Sequence, residues 1–406
     1  MDEPRLASSA GGPSGLVYVV WELTLRCDMS CEHCGSRGGR ARADELATDE
    51  ALDVVRQLAA MGAREVTLIG GEAYLREDWD VVARAIVDAG MRCTMTTGGR
   101  GFDAARARRA RDAGLAAVSV SIDGLRGAHD TLRGLVGSWD AALAALDAGA
   151  AAGLEMSANT QISRLSAPDL EPLLDVLAER GVRGWQMQLT VPMGRAAERP
   201  EWLLQPYELL GLYPALAALV RRAAARGVSF WPANNIGYFG PHEALLRGRG
   251  ARDDRAWTGC VAGKHALGLE SDGTVKGCPS LPTETYSGGN VRARTLQRIW
   301  DESAPVRFTR DRDASSLWGF CRTCYYADTC RAGCTWTSHV FFGRPGNNPY
   351  CHHRALALAR EGLAERFVQV TAPPGLPFDH GRFALEVVPL AEAEATRPRR
   401  RLPLAR

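Results

Sequence analysis

From residue 17 onward the chain alternates between two textures. Short runs rich in β-branched and aromatic residues are each followed by alanine-rich stretches with apolar residues at helical spacing, the mark of strands alternating with helices. Strands are predicted at 17–24, 65–69, 92–97, 117–122, 155–161 and 184–190, and helices at 47–62, 79–89, 102–113, 137–152 and 168–181. Repeated β/α steps imply an α/β fold with a parallel sheet, either doubly wound or curled into a partial (β/α)6, TIM-like barrel. In both architectures the functional residues lie in loops at the C-terminal ends of the strands. A longer helix is predicted over 204–226, then a short strand at 228–231.

The texture changes near residue 257. Between Cys260 and Cys351 there are seven cysteines, many glycines and only brief periodic stretches. Such a region would struggle to build an apolar core of its own, so bound metal is the expected source of its order. One more strand is predicted near 383–388. The expected division is a disordered N-terminus at 1–16, an α/β unit at 17–200, a connecting helix and strand at 201–259, a cysteine-rich domain at 260–360, and a C-terminal extension with a basic tail at 361–406.

Composition narrows the setting. Hydrophobic residues make up 46% and charged residues 24% of 406, a balance typical of globular chains. No run of 18 apolar residues occurs, and the opening residues lack the features of a signal peptide. No membrane span and a cytoplasmic, reducing location are therefore expected, where eleven cysteines point to metal or redox chemistry rather than disulfides. A net charge of +2 argues against a large nucleic-acid surface. Among the basic residues only Lys264 and Lys276 are lysines, a bias of base composition rather than of function.

The first predicted strand runs into Cys27-Asp28-Met29-Ser30-Cys31-Glu32-His33-Cys34. Three thiolates at this spacing converge on one loop and suit three irons of a 4Fe–4S cube, leaving the fourth iron open, whereas electron carriers normally use four cysteines. Zinc with His33 as fourth ligand is the rival, but adjacent His33 and Cys34 leave little freedom to close a tetrahedron. The motif resembles the signature loop of radical S-adenosylmethionine (SAM) enzymes. That resemblance implies that the open iron takes the amine and carboxylate of SAM, whose reductive cleavage yields a 5′-deoxyadenosyl radical. His33 occupies a position that is often aromatic in that superfamily and helps enclose the adenine.

Further matches fall at successive strand ends. Gly70-Gly71-Glu72-Ala73 is similar to the family's Gly-Gly-Glu-Pro motif, with Ala73 in place of proline. Its glycines allow close backbone approach to a ligand, and Glu72 can accept from the methionyl ammonium. Thr97 ends the third strand. Ser121 and Asp123 end the fourth and alternate onto one side, where the resemblance implies contact with the cosubstrate; for Asp123, capping of the next helix is the alternative. Ser157, Asn159 and Gln161 share one face of the fifth strand, as do Gln186, Gln188 and Thr190 on the sixth. Such polar rows fit either a reaction cavity or a more exposed face. Asn159 and Gln188 are the candidate contacts.

The second region reads Cys260, Cys278, Cys321, Cys324, Cys330, Cys334 and Cys351. Structural zinc is the plain rival, since closely spaced cysteine pairs also bind it. The full pattern resembles the seven-cysteine SPASM domain of radical SAM enzymes that mature peptides, which implies two auxiliary clusters. On the family's ligation, Cys321, Cys324, Cys330 and Cys351 complete one cluster, while Cys260, Cys278 and Cys334 hold the other one ligand short. Lys264, His265 and Cys93 are possible fourth ligands, although Cys93 lies within a predicted strand. Aromatic and glycine-rich segments at 234–239, 325–326 and 336–348 would exclude water or wall a peptide.

The resemblance thus implies three 4Fe–4S clusters and SAM, with an oxidative crosslink or side-chain modification installed in a ribosomally made peptide. Expected partners are a precursor peptide and an electron donor such as flavodoxin or ferredoxin. Many maturases carry an N-terminal leader-binding module that 16 residues cannot contain, so another surface or a separate leader-peptide-binding protein is expected. Alternatives are a sulfatase-maturase-like formylglycine-forming enzyme, a maturase of a peptide-derived cofactor, and a nonenzymatic iron–sulfur electron carrier. The last explains the clusters but not the open first site coupled to Glu72 and the β/α repeat.

Overall fold

All six predicted strands form and lie side by side: β1 (Tyr18–Thr24), β2 (Glu65–Gly70), β3 (Arg92–Thr97), β4 (Ala117–Ser121), β5 (Glu155–Ile162) and β6 (Gly184–Leu189), followed by β7 (Ser229–Pro232). The structure, a computed structural model, describes residues 15–247 and 257–395. The N-terminal disorder expected at 1–16 falls mostly outside the described residues, as does the basic tail; Leu16, however, is buried in the core.

Each strand from β1 to β7 pairs in parallel with the next. Consecutive order means that every crossover advances the sheet in one direction, which places the helices on one face. A doubly wound sheet would need a reversal of strand order and is excluded. The covering helices are α1 (Thr48–Ala60), α2 (Trp79–Asp88), α3 (Ala104–Asp112), α4 (Arg126–Arg133), α5 (Ser138–Ala151), α6 (Leu170–Glu179) and α7 (Leu209–Ala225). Of these, α4 was not expected.

Strand alternation sorts the side chains. Val19, Trp21, Leu23, Val66, Leu68, Met95, Val118, Val120, Ala158 and Met187 are buried with the helices in one core. Cys93 is among them, which fits a buried hydrophobe rather than a ligand. The intervening residues line a cavity on the other face. A stretch including α7, Pro200–Ala225, is long and apolar enough to cross a membrane by length and composition, but it is mostly buried inside the fold.

The cysteine-rich region extends the same sheet. Its strand β8 (Ala266–Leu269) pairs in parallel with the free edge of β1, from Tyr18 opposite Ala266 to Trp21 opposite Leu269. Strands β9 (Thr274–Lys276) and β10 (Gly289–Asn290) follow antiparallel, giving ten strands in all. Beyond the cysteines, β11 (Leu363–Thr371) pairs with β12 (Arg382–Pro389), which contains the strand expected at 383–388. This ribbon packs Phe367 and Phe383 against Phe341.

Candidate active site

A single cavity of about 530 Å³ opens on the inner face of the sheet. Every sequence-predicted cosubstrate residue lines it: His33, Gly70, Gly71, Glu72, Thr97, Ser121, Asp123, Asn159 and Gln188. Gln161 and Gln186 join them, so the polar rows of β5 and β6 face the cavity. Ser157 and Thr190, grouped with those rows by periodicity, do not line it.

The first cysteine loop forms one wall through Cys27, Cys31 and Cys34. Its entry is fixed by backbone contacts. Cys27 N–H donates to Gly39 O at 2.9 Å, and Glu72 N–H to Arg26 O at 2.8 Å. A Cβ on Gly70 would overlap the Thr24 carbonyl oxygen; one on Gly71 would overlap that of Arg26 and sit 2.6 Å from Leu25 O. The glycine pair therefore admits the neighbouring backbone, a tighter requirement than the ligand approach expected from sequence.

Glu72 is buried, accepting from the Thr97 hydroxyl and the Gly98 N–H, both at 2.6 Å. Burial pushes its carboxyl up to about 7 against those two hydrogen bonds. Thr97 thus acts on Glu72 and also receives the Gly99 N–H at 2.9 Å.

Asp123 does not cap a helix. Its Oδ1 accepts the Gln161 N–H at 2.8 Å, while Oδ2 lies 2.7 Å from Arg133 and 3.0 Å from His33 Nε2. Burial opposes its ionisation, but the charges of Arg133 and His33 hold the carboxyl well below the usual range. His33 donates through Nδ1 to Leu132 O at 2.9 Å, so its ring is anchored by polar contacts at both nitrogens. Arg133 NH1 reaches to 3.8 Å from Cys31 Sγ. The chain His33–Asp123–Arg133–Cys31 therefore ties the end of β4 to the cysteine loop. Arg133, which sequence reasoning missed, is its central cation. Arg195 was missed as well; its Nε donates to Cys31 O at 2.6 Å.

The remaining cysteines fall into two groups. Cys321, Cys324, Cys330 and Cys351 line a small cavity of their own with Phe239, Tyr326 and His353. The Phe239 and Tyr326 rings stack at 4.0 Å beside it. Cys260, Cys278 and Cys334 instead line the large cavity together with the first loop. Tyr238 braces this side: its hydroxyl accepts the Cys334 N–H at 3.1 Å and donates to Asn234 O. Asn235 closes the end of β6 by pairing its amide with Leu189 N–H and O at 3.0 and 2.7 Å.

The donor chemistry suits iron–sulfur clusters. Burial, with the charges of Glu72, Cys31 and Cys34, pushes the Cys27 thiol up to about 12. Burial likewise raises Cys278 to about 11 and Cys334 to about 12. Thiols so crowded and desolvated would ionise only against a bound cation, and soft sulfur sets of three and four select iron–sulfur clusters or zinc.

The family model of the radical SAM superfamily matches residues 21–162, and that of an iron–sulfur cluster-binding domain, SPASM, matches residues 260–325. The chain is 30% identical over 356 residues to the AdoMet-dependent heme synthase of Methanosarcina barkeri, covering 83% of this chain and 96% of that protein. It is 29% identical over 400 residues to the mycofactocin maturase MftC of Mycobacterium tuberculosis, covering 95% of each. Among solved structures, anSMEcpe with bound AdoMet superposes with a TM-score of 0.66 at 16% identity, covering 84% of this chain and 95% of that one. SuiB of Streptococcus suis bound to S-adenosylmethionine superposes with a TM-score of 0.64 at 16% identity, covering 83% and 76%. The pairing of a parallel α/β sheet with a C-terminal cluster-binding region is therefore the family architecture, and this chain belongs to the radical SAM superfamily as an iron–sulfur, SAM-binding enzyme with a SPASM domain.

Proposed function

We propose that this enzyme modifies a ribosomally made peptide oxidatively, using three 4Fe–4S clusters. Cys27, Cys31 and Cys34 hold the first; Cys321, Cys324, Cys330 and Cys351 hold the second; and Cys260, Cys278 and Cys334 hold the third with one iron not bound by cysteine. The observation that carries this reading is the shared cavity, which has the first and third cysteine groups in its lining. SAM, bound at the first cluster, supplies a carbon radical that takes a substrate hydrogen. The chain's own residues position and enclose. Glu72 receives the methionyl ammonium, while Ser121, Asn159 and Gln188 bind along the strand ends. Gln161, Gln186 and Asn234 add neutral amides to the cavity wall that match the donors and acceptors of a peptide backbone. A cluster held by Cys260, Cys278 and Cys334 would offer the substrate radical an acceptor for one electron within the same cavity, which favours crosslinking or side-chain oxidation over rearrangement. An external flavodoxin or ferredoxin delivers the electron that starts turnover.

The test is coexpression with candidate peptides encoded beside this gene, followed by mass spectrometry. Loss of two hydrogens supports the reading; an unchanged mass points to epimerisation or to a different substrate. A second reading, heme formation, is supported by the 30% identity to the Methanosarcina enzyme over nearly its whole length. Appearance of heme absorbance with the active protein, and its loss on Cys31→Ala, would favour that reading instead.

A further inference from the structure

Among the described residues three arginines are buried, Arg133, Arg312 and Arg354, and each stands at a different cysteine group. Arg133 reaches Cys31 and is paired with Asp123. Arg354 makes a two-point ion pair with Glu365 at 2.6 and 2.5 Å and donates to Asn348 O at 3.1 Å; the N–H of Asn348 in turn points at Cys321 Sγ, 3.4 Å away. Arg312 lies over the ring of Phe308, which packs against the apolar group that includes Cys260, Cys334, Tyr238 and Tyr286. Its NH2 donates to Arg331 O at 3.0 Å, and Arg331 NH1 returns a bond to Arg312 O at 3.0 Å. Arg331 and Ala332 take left-handed backbone angles, φ 50° and 60°, in the turn from Cys330 to Cys334. Arg312 therefore grips the short segment that passes from one auxiliary group to the other.

The three arginines differ in their counter-charges. Among the described residues no carboxylate pairs with Arg312, and its buried Nε–H has no acceptor. A guanidinium keeps its charge in a protein. Beside a carboxylate its field is largely cancelled; without one, in a desolvated setting, it acts on nearby charges with little screening. Burial works against the charge of Arg312, and Cys260, Tyr286, Cys334 and Cys330 work for it. Reduction adds one negative charge to a cluster, and net charge and hydrogen bonds to sulfur set the potential at which it occurs.

We propose that Arg312 sets the reduction potential of the cluster at Cys260, Cys278 and Cys334, making it the easier of the two auxiliary clusters to reduce. The inference rests on the ligand assignment proposed above. It gives that cluster the property an electron acceptor beside the substrate needs.

The test uses a Cys27→Ala, Cys31→Ala, Cys34→Ala background, which leaves the auxiliary clusters, with iron analysis and a redox titration followed by electron paramagnetic resonance. Adding Cys321→Ala identifies which signal belongs to which cluster. Arg312→Gln should make reduction at the three-cysteine site at least tenfold less favourable, a shift of about 59 mV for a one-electron couple. The four-cysteine site should move less, and Arg312→Lys should hold its potential within about threefold, because the positive charge is retained. An unmoved potential in Arg312→Gln with full iron content would overturn the proposal, as would equal shifts at both sites. If the glutamine variant loses iron, Arg312→Lys decides: a retained potential supports the charge argument, and a tenfold fall despite the charge sinks it. Separately, Cys260→Ala should remove one auxiliary cluster from the iron count. Unchanged iron there would refute the ligand assignment itself rather than the role of Arg312.

Discussion

Glu72 already holds the Thr97 hydroxyl and the Gly98 N–H, so its carboxylate is aimed before any ligand arrives. A charge-assisted hydrogen bond contributes roughly 1.5–3 kcal/mol, so Glu72→Gln should weaken SAM binding by about 10–100-fold. Equilibrium binding to reconstituted protein reads this directly, and an unchanged affinity would remove Glu72 from the site. Asp123 has a different burden. Asp123→Asn leaves Arg133 and His33 facing a neutral amide in a buried setting, and breaking such a pair costs roughly 3–5 kcal/mol. A thermal or urea midpoint indistinguishable from the parent would contradict the network. The cysteine spacings and Gly-Gly-Glu were legible in the sequence because each is a local pattern at a strand end. Arg133 was not, because its sulfur partner Cys31 lies 102 residues away. No spacing along the chain announces a contact of that separation.

At the scale of elements, the six strands could be read because each sets apolar residues against the helices on alternate positions. Helix α4 escaped the same reading for a physical reason. It is only eight residues long, and its buried face mixes Ala128 and Leu132 with His129 and Arg133, so its apolar signal is brief and diluted. Strand β8 is buried at all four of its positions and too short to show a period. The junction of β1, β2 and the cysteine loop is the element most exposed to small changes. Gly71→Ala would force a Cβ into the Arg26 and Leu25 carbonyls. Overpacking of this kind typically costs about 1–3 kcal/mol. The first cluster should be lost selectively, with a fall of roughly four irons per chain while auxiliary absorption persists. Full iron retention would show that the loop can shift without losing its geometry.

On the whole-molecule scale, the two regions distinguished by composition are joined through one sheet. The sequence distinguishes them by texture, but nothing local in a four-residue strand states which edge it takes. Without β8, the edge of β1 would be open along Tyr18–Trp21, and bare edges invite pairing with other chains. Residues 1–247 expressed alone should therefore associate into large particles by light scattering, and a monodisperse monomer would argue that β8 is dispensable. The same pairing also sets a clock. Tyr18 meets Ala266, a partner made 248 residues later. At ~5–20 residues per second, ribosomal synthesis leaves roughly 12–50 s between the two. During that interval the loop of Cys27, Cys31 and Cys34 has emerged while Cys278 and Cys334, which line the same cavity, have not yet been made. The order of synthesis thereby leaves the first loop without its cavity partners on that side until Cys334 has been made.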